Sequence, residues 1–150
     1  MMKKIKIVAG ILALVVLVAC QGDTKDQTIE NIQDEVVETS VISQSVMDKG
    51  RTVYMQCLAC HQANGEGIVG TFPPLANSDY MLADIDRTIK TIINGTKDPI
   101  MVNGTEYPGN TMTKFTHLSD EDIVAVATYV LNSWGNSGGV VTTEMVAANR

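Results

Sequence analysis

Hydrophobic residues recur at helical spacing in three parts of this chain. The first part begins at Ser45, whose hydroxyl can cap a helix, with Asp48 at the third helical position. Small and apolar residues then follow one helical face toward residues 57–61. This face consists of Val46, Met47, Gly50, Val53, Tyr54, Cys57 and Leu58. We therefore predict a helix that runs from Ser45 directly into residues 57–61.

The same helical spacing of hydrophobic residues predicts two further helices. One is predicted over 85–94, with Asp84 as its cap and Gly95 at its end. The other follows Ser119, where acidic residues stand at the positive end of the helix dipole, and it ends at Gly135. The apolar face of this last helix consists of Ile123, Val124, Val126, Ala127, Val130, Leu131 and Trp134.

The remaining residues predict loops and turns. A Gly-rich loop covers residues 65–71, and residues 102–105 are typical of a tight hairpin turn. The pattern therefore favours an all-α fold, with three main helices and a short hairpin-like loop, in one domain over residues 45–135. Residues 136–150 are rich in Gly, Asn and Ser at their start and are predicted to form a flexible C-terminal tail.

The N-terminus has the pattern of an export signal. Lys3, Lys4 and Lys6 precede an apolar run over 7–18, which is shorter than the ~20 residues that a spanning helix needs. The run ends in Leu17-Val18-Ala19-Cys20, which resembles the lipobox of bacterial lipoproteins. That resemblance implies a signal peptide over 1–19 and lipidation of Cys20. An uncleaved anchor or an ordinary secretory signal are the alternatives, and each also places the domain outside the cytoplasm.

Charge is distributed unevenly along the chain. From Cys20 onward there are eight basic and seventeen acidic residues, a net charge of −9. Such acidity argues against nucleic-acid binding, which needs basic surface. Residues 20–44 are polar and acidic, and we predict a flexible tether there, with a short amphipathic helix over 29–37 as the alternative.

The chemistry of the chain is concentrated in Cys57-Leu58-Ala59-Cys60-His61. This is the spacing of c-type haem attachment, in which two thiols form thioethers with the haem vinyl groups and the histidine binds the iron. A zinc site would usually need a second pair of ligands, and only His117 remains as a further histidine. A thioredoxin-like motif would need a βαβ setting, whereas this sequence predicts helices.

With these motifs the chain resembles the class I cytochromes c over roughly residues 45–134. The resemblance implies one covalently attached haem c, with His61 as the proximal iron ligand and Met112 as the distal one. It also implies that the carbonyl of Pro73 or Pro74 accepts a hydrogen bond from His61. Tyr107 is also expected to be a cofactor-binding residue. Gly50 and Tyr54 are expected to meet Tyr129 where the first and last helices cross.

Residues 104–136 are similar to cytochrome domains associated with periplasmic copper nitrite reductases and quinoprotein dehydrogenases. The similarity is carried by Tyr107-Pro108-Gly109, Met112-Thr113-Lys114-Phe115, Leu118-Ser119-Asp120-Glu121-Asp122, Thr128-Tyr129-Val130 and Asn132-Ser133-Trp134-Gly135. One departure is Thr113, where that family usually has proline, so the ligand loop is expected to be looser. Met101, His117 and, with a rearranged loop, Met81 are the alternative distal ligands.

These observations predict an electron carrier rather than an enzyme. Ligation by His and Met fills both axial positions and leaves the iron no open site for a substrate. The first hypothesis is a lipid-anchored shuttle between a quinol-oxidising complex and a terminal reductase or oxidase, including nitrogen-oxide reductases. The alternatives are an acceptor from a quinoprotein dehydrogenase, and a haem-based ligand sensor or weak peroxidase if Met112 is labile. The expected partners are redox proteins, with no nucleic acid.

Overall fold

A computed structural model describes residues 42–109 and 111–150 of the chain. The signal peptide, Cys20 and the predicted tether up to residue 41 lie outside the described residues. Within them the fold is mostly helical with one two-stranded sheet, which confirms the all-α prediction. No helix in this part of the chain is both long and apolar enough to cross a membrane. The elements are α1 (Gln44–Tyr54), α2 (Leu58–His61), α3 (Asp79–Leu82), α4 (Ile85–Asn94), β1 (Ile100–Val102), β2 (Thr105–Tyr107), α5 (Asp120–Leu131) and α6 (Thr143–Ala148).

The predicted caps of the middle and last helices are confirmed. The Asp84 carboxylate accepts from the backbone N–H of Arg87 at 2.9 Å, and α4 ends at Gly95. Ser119 and Asp122 form a capping box at the start of α5, each side chain accepting from the other residue's backbone N–H. Local capping chemistry therefore determines where these two helices begin.

The first helix differs from its prediction at both ends. It begins after Ser43 rather than after Ser45, and no side-chain hydrogen bond caps it. It stops at Tyr54, because the N–H groups of the next residues bond to carbonyls three positions earlier and tighten the backbone into a turn. Cys57 then precedes the separate short helix α2, so the prediction of one continuous helix into residues 57–61 was wrong.

The crossing of α1 and α5 forms the centre of the fold. Gly50 lies so close to the Ala125 carbonyl and the Tyr129 Cβ that a side chain at position 50 has no room. The Tyr54 ring packs beside Tyr129 with centroids 5.5 Å apart, and beside Trp134 at 5.1 Å. The predicted meeting of Gly50 and Tyr54 with Tyr129 is therefore confirmed.

The last helix ends earlier than predicted, and the residues after it are folded. Helix α5 stops at Leu131, and Trp134 stands at φ 54° in the left-handed region. The prediction of a flexible tail over 136–150 is corrected by α6, which contacts both α4 and α5. Val141 and Val146 are fully buried there. The apolar positions of this segment are too few to produce a helical period that can be read from sequence.

The fold also contains two small elements, a two-stranded hairpin and a short helix before α4. Strands β1 and β2 pair antiparallel across Asn103 and Gly104, both with positive φ, as the predicted hairpin turn requires. The short helix α3, capped by Ser78, was not predicted. It contacts both α4 and β1, which brings Met81 into the core.

Candidate functional site

An apolar cavity lies between the α1–α2 segment, α4, α5 and the loops that connect them. Its walls are mostly apolar, and they include Val53, Leu75, Ile92, Val126 and Val130. The structure brings all the predicted haem-site residues of the described segments together at this cavity, namely Cys57, Cys60, His61, Pro73, Pro74, Tyr107 and Met112. Residues separated by more than fifty positions in sequence therefore face one space.

His61 ends the short helix α2 and is buried. Its Nδ1–H donates to the carbonyl oxygen of Pro73 at 2.9 Å. Because a carbonyl can only accept, the proton sits on Nδ1 and the lone pair of Nε2 stays free to bind a metal. Burial lowers the pKa of His61, opposed in part by this hydrogen bond, so the imidazole is neutral near pH 7. Of the two expected acceptors, Pro73 and not Pro74 forms the bond.

The Gly-rich loop positions the Pro73 carbonyl. Gly67, at φ 64°, lies against the carbonyl groups of Phe72 and Pro73, where a Cβ would collide with both. Its N–H donates to the His61 carbonyl at 3.1 Å, and Ile68 pairs with Phe72 in an isolated bridge. The loop is thereby folded back onto His61. A hydrogen bond to the ring of a metal-binding histidine, such as the one from His61 to the Pro73 carbonyl, fixes the orientation of that ring.

Cys57 and Cys60 are free thiols at the cavity. Burial, together with the neighbouring Cys60, raises the pKa of Cys57 to about 11. A disulfide oxidoreductase needs a reactive thiolate, which such a pKa disfavours. Within residues 42–109 and 111–150, no three His, Cys, Asp or Glu side chains form a cluster suited to a metal ion. The pair therefore fits thioether formation better than either alternative.

The loop that carries Met112 is attached to the end of α4 by its backbone. The Met112 N–H donates to the Thr96 hydroxyl at 3.3 Å, and the Met112 carbonyl lies directly against Gly95. Further on, the Phe115 N–H donates to the Ile92 carbonyl at 3.2 Å. The residue after Met112, Thr113, is exposed but still borders the cavity.

The alternative distal ligands occupy different places. Met101 is 54% exposed on β1, and His117 is exposed beside Gln56, with 3.3 Å between its Nε2 and the amide oxygen. Neither is among the residues that line the cavity. Met81 does line it, but it is packed into the hydrophobic core, and its carbonyl accepts from Thr88. Tyr107, the other expected cofactor-binding residue, is buried at the end of β2 and borders the cavity.

Two residues that hold the site together, Asn136 and Trp134, were not predicted as site residues. Asn136 is buried, and its amide donates to the carbonyls of Leu75 and Val130, while its oxygen accepts from the Asn77 N–H at 2.7 Å. Trp134 donates to the Ala63 carbonyl at 3.2 Å and covers Gly65. Both connect the end of α5 to the loop after His61. Their signal in the sequence is that both lie in the segment 104–136 that carries the resemblance.

The residues at the cavity fit a covalently bound haem. Two thiols at the required spacing, a neutral imidazole with a free nitrogen and a thioether side chain all border one mostly apolar space. These are the donor types that hold haem iron in c-type cytochromes.

Comparison with known proteins agrees with this fit. The family model for cytochrome c matches residues 47–134. A cytochrome c-552 from Thermus thermophilus is 38% identical over 92 residues, which cover 59% of this chain and 70% of the relative. For a second cytochrome c-552 of that species, also 38% identical, the matched part covers 62% of its length. The cytochrome c subunit of a quinone alcohol dehydrogenase from Gluconobacter oxydans is 26% identical over 111 residues, which are 70% of this chain and 22% of that protein.

Since the family model spans more than half of the chain, the protein belongs to the cytochrome c family. It is a class I c-type cytochrome with covalently attached haem c. It is an electron carrier rather than an enzyme, and it works with redox partners.

Proposed function

We propose that this cytochrome is a monohaem, lipid-anchored carrier on the periplasmic or extracellular face of the cell membrane. It passes single electrons from a quinol-oxidising complex to a terminal reductase or oxidase, and the motif resemblance favours nitrogen-oxide reductases as acceptors. The observation that carries the proposal is one cavity bordered both by His61, with its free Nε2, and by Met112.

The ligand set explains why this site transfers electrons and does not bind substrates. Cys57 and Cys60 would hold the haem through thioethers, and His61 and Met112 would supply the two protein ligands to its iron. Haem c supplies one-electron exchange between ferric and ferrous iron. With two protein ligands on the iron, an exogenous molecule would find no free coordination site, and a thioether ligand would raise the reduction potential relative to two histidines.

Intact mass spectrometry of protein matured in a host with haem-attachment machinery tests the attachment. We expect the mass of the polypeptide plus one haem after denaturation, and the same for Thr52→Ala as a control outside the motif. Cys57→Ser and Cys60→Ser should each keep at most one thioether. A denatured wild-type chain with the mass of bare polypeptide would rule out the proposed attachment.

The anchoring of the Met112 loop favours a carrier over a ligand sensor. Proline is missing at Thr113, but the backbone is held before and after this position by Thr96 and Ile92. Two backbone attachments compensate for the flexibility that the missing proline would leave. Reduced wild-type protein is therefore expected to bind carbon monoxide slowly and incompletely, whereas rapid stoichiometric binding would favour the sensor.

The membrane attachment rests on the sequence of the N-terminus. The apolar run over 7–18 and the lipobox-like residues 17–20 support export followed by lipidation of Cys20. The acidic segment that follows in the sequence, for which a tether is predicted above, separates Cys20 from α1. A single acyl chain binds a membrane only marginally, so stable attachment needs more than one chain on the lipidated cysteine.

Fractionation of cells that express Cys20→Ser tests this attachment. We expect the variant in the soluble extracytoplasmic fraction with an unchanged haem spectrum, while Thr24→Ala, which keeps the cysteine, stays in the membrane. Membrane retention of Cys20→Ser would instead identify an uncleaved N-terminal helix as the anchor.

A second candidate donor is a quinoprotein dehydrogenase. The observation in its favour is the similarity to the cytochrome c subunit of a quinone alcohol dehydrogenase. Stopped-flow absorbance of the haem in native membranes separates the two donors. If a quinol-oxidising complex is the donor, quinol reduces the haem rapidly and an inhibitor of that complex blocks the reduction. If rapid reduction instead requires an alcohol substrate and survives the inhibitor, the dehydrogenase is the donor.

A further inference from the structure

The residue that follows His61 has a backbone conformation that side chains disfavour. Gln62 has φ 61° and ψ 169°, a combination found almost only at glycine. In the described segments, four residues other than glycine have a positive φ, and two of them are asparagines, which tolerate it. The other two are Gln62 and Trp134. Because a strained backbone persists only where the surrounding structure holds it, the contacts around Gln62 must stabilise this conformation.

Two aromatic side chains hold the turn at Gln62. The Tyr54 hydroxyl donates to the Gln62 carbonyl at 2.8 Å. The Trp134 indole N–H donates to the next carbonyl, that of Ala63, at 3.2 Å. The rings of Tyr54 and Trp134 pack together with centroids 5.1 Å apart, and burial raises the pKa of Tyr54, so that its hydroxyl stays protonated and donates. This pair, Tyr54 and Trp134, which we call the aromatic clamp, therefore fixes two consecutive peptide groups.

The clamped turn connects His61 to the loop that orients its ring. Gly67 donates its N–H to the His61 carbonyl and lies against the Pro73 carbonyl, which accepts from the His61 Nδ1–H. The Gln62 carbonyl also accepts from the Gly65 N–H at 3.3 Å. If Gln62 relaxed to a negative φ, the chain between His61 and Gly67 would change direction. The Pro73 carbonyl would then move relative to the imidazole, so the strained turn helps to set the hydrogen bond that orients the histidine.

We propose that the aromatic clamp positions His61 on the haem iron. By holding Gln62 in its strained conformation, the clamp preserves the hydrogen bond from the imidazole to the Pro73 carbonyl. Such a bond raises the basicity of a metal-binding histidine, and a more basic ligand favours ferric iron. Release of the clamp is therefore expected to raise the reduction potential. The inference rests on the proposed ligation of haem iron by His61, and not on the membrane anchor or the redox partners.

Hydrogen exchange at the His61 Nδ1–H in the reduced, haem-loaded protein tests the proposal. Tyr54→Phe removes the hydroxyl of the clamp and keeps the ring. We expect faster exchange by roughly 2–10-fold, as the weakening of one hydrogen bond allows, together with a higher reduction potential. Trp134→Phe, which also loses one donor, should act in the same direction. The exchange rate of the Ile123 N–H, buried in α5, corrects for any change in global unfolding.

A matched control removes a different hydroxyl from the same aromatic cluster. The Tyr129 ring packs beside Tyr54, but the two clamped carbonyls accept from Tyr54 and Trp134. Tyr129→Phe should therefore leave both the exchange rate of the His61 Nδ1–H and the reduction potential unchanged. Equal effects of Tyr129→Phe and Tyr54→Phe would overturn the proposal, because a general change in the cluster would then explain both.

Substitutions at Gln62 separate backbone strain from a loss of packing. Gln62→Gly removes the strain of the positive φ, so in the Tyr54→Phe background it should restore the exchange rate and the potential. Gln62→Ala keeps a Cβ and hence the strain, and it should not restore them. Both replacements lose the side-chain hydrogen bond from Gln62 to the Ala59 carbonyl, so this loss cancels in the comparison. Rescue by both replacements, or by neither, would overturn the proposal.

A measurement on the wild type covers the case in which Tyr54→Phe does not fold. The three-bond couplings of the Gln62 backbone in the reduced protein should report a positive φ, and a negative φ would refute the proposal. None of these negative results would alter the attachment of haem or the electron-transfer function. A failure of the proposed ligation would be recognised separately, because the wild type would then lack the absorption bands of His and Met ligation.

Discussion

The backbone of Gly95, at the end of α4, lies directly against the carbonyl group of Met112. Gly95 has φ 70° and ψ −170°, a conformation that only glycine adopts readily, and a Cβ there would collide with the Met112 carbonyl. The residue that ends the middle helix therefore also determines where the Met112 loop can lie.

Substituting Gly95 should consequently disturb a ligand seventeen positions away in sequence. Gly95→Ala is expected to weaken the near-infrared charge-transfer band that reports a sulfur–iron bond, because the added methyl group displaces the Met112 backbone. Gly70→Ala is the matched control, since Gly70 has φ 72° but open space around it. Gly70→Ala should lose about 1–3 kcal/mol of stability from positive-φ strain alone, and Gly95→Ala should lose more, because its Cβ also collides with the Met112 carbonyl. An intact band in Gly95→Ala would mean that the loop adjusts without moving the methionine.

Met112 itself is predicted to be the distal ligand. Met112→Ala should abolish the near-infrared band, let the reduced haem bind carbon monoxide and lower the reduction potential, because loss of a thioether favours ferric iron. Met101→Ala and His117→Ala alter side chains that do not border the cavity and should leave all three properties unchanged. If Met112→Ala keeps the band while Met81→Ala loses it, the ligand is Met81.

The crossing of α1 and α5 should be sensitive to a single methyl group. Gly50→Ala places a Cβ against the Ala125 carbonyl and the Tyr129 Cβ, so the two helices must separate. We expect a loss of about 1–3 kcal/mol in the free energy of unfolding, measured by denaturant titration of the haem-loaded protein. Arg51→Ala, at an exposed position of α1, should change it by less than about 0.5 kcal/mol. Comparable losses in both variants would contradict tight packing at Gly50.

The C-terminal helix should contribute to stability rather than act as a tail. Val146→Ala removes buried methyl groups from α6 and is expected to cost about 1–3 kcal/mol. Thr143→Ala, exposed on the same helix, is the control and should have little effect. Limited proteolysis gives an independent measure, since Val146→Ala should speed cleavage after residue 139. If Val146→Ala is as stable as the wild type, the result would favour the flexible C-terminal tail that the sequence predicts.

Short-range chemistry explains what could be read from the sequence. The spacing of Cys57, Cys60 and His61 indicates function by itself, because the two thioethers and the histidine ligand of a c-type haem come from residues within five positions. Capping depends on neighbours within one turn, so the starts of α4 and α5 were predicted from Asp84 and Ser119. The break between Tyr54 and Leu58 was not predicted, because the apolar period continues through a backbone that is no longer helical.

Tertiary structure decided the features that depend on contacts between distant residues. Only the fold shows that Pro73 rather than Pro74 bonds to His61, and that Asn136 joins Leu75 to Val130. The order of α6 likewise arises because α4 and α5 together provide a surface that buries Val146. Sequence thus determined the attachment chemistry and the starts of α4 and α5, because both are local. The fold determined how the ligands are held, because burial and hydrogen bonding there join segments far apart in the chain.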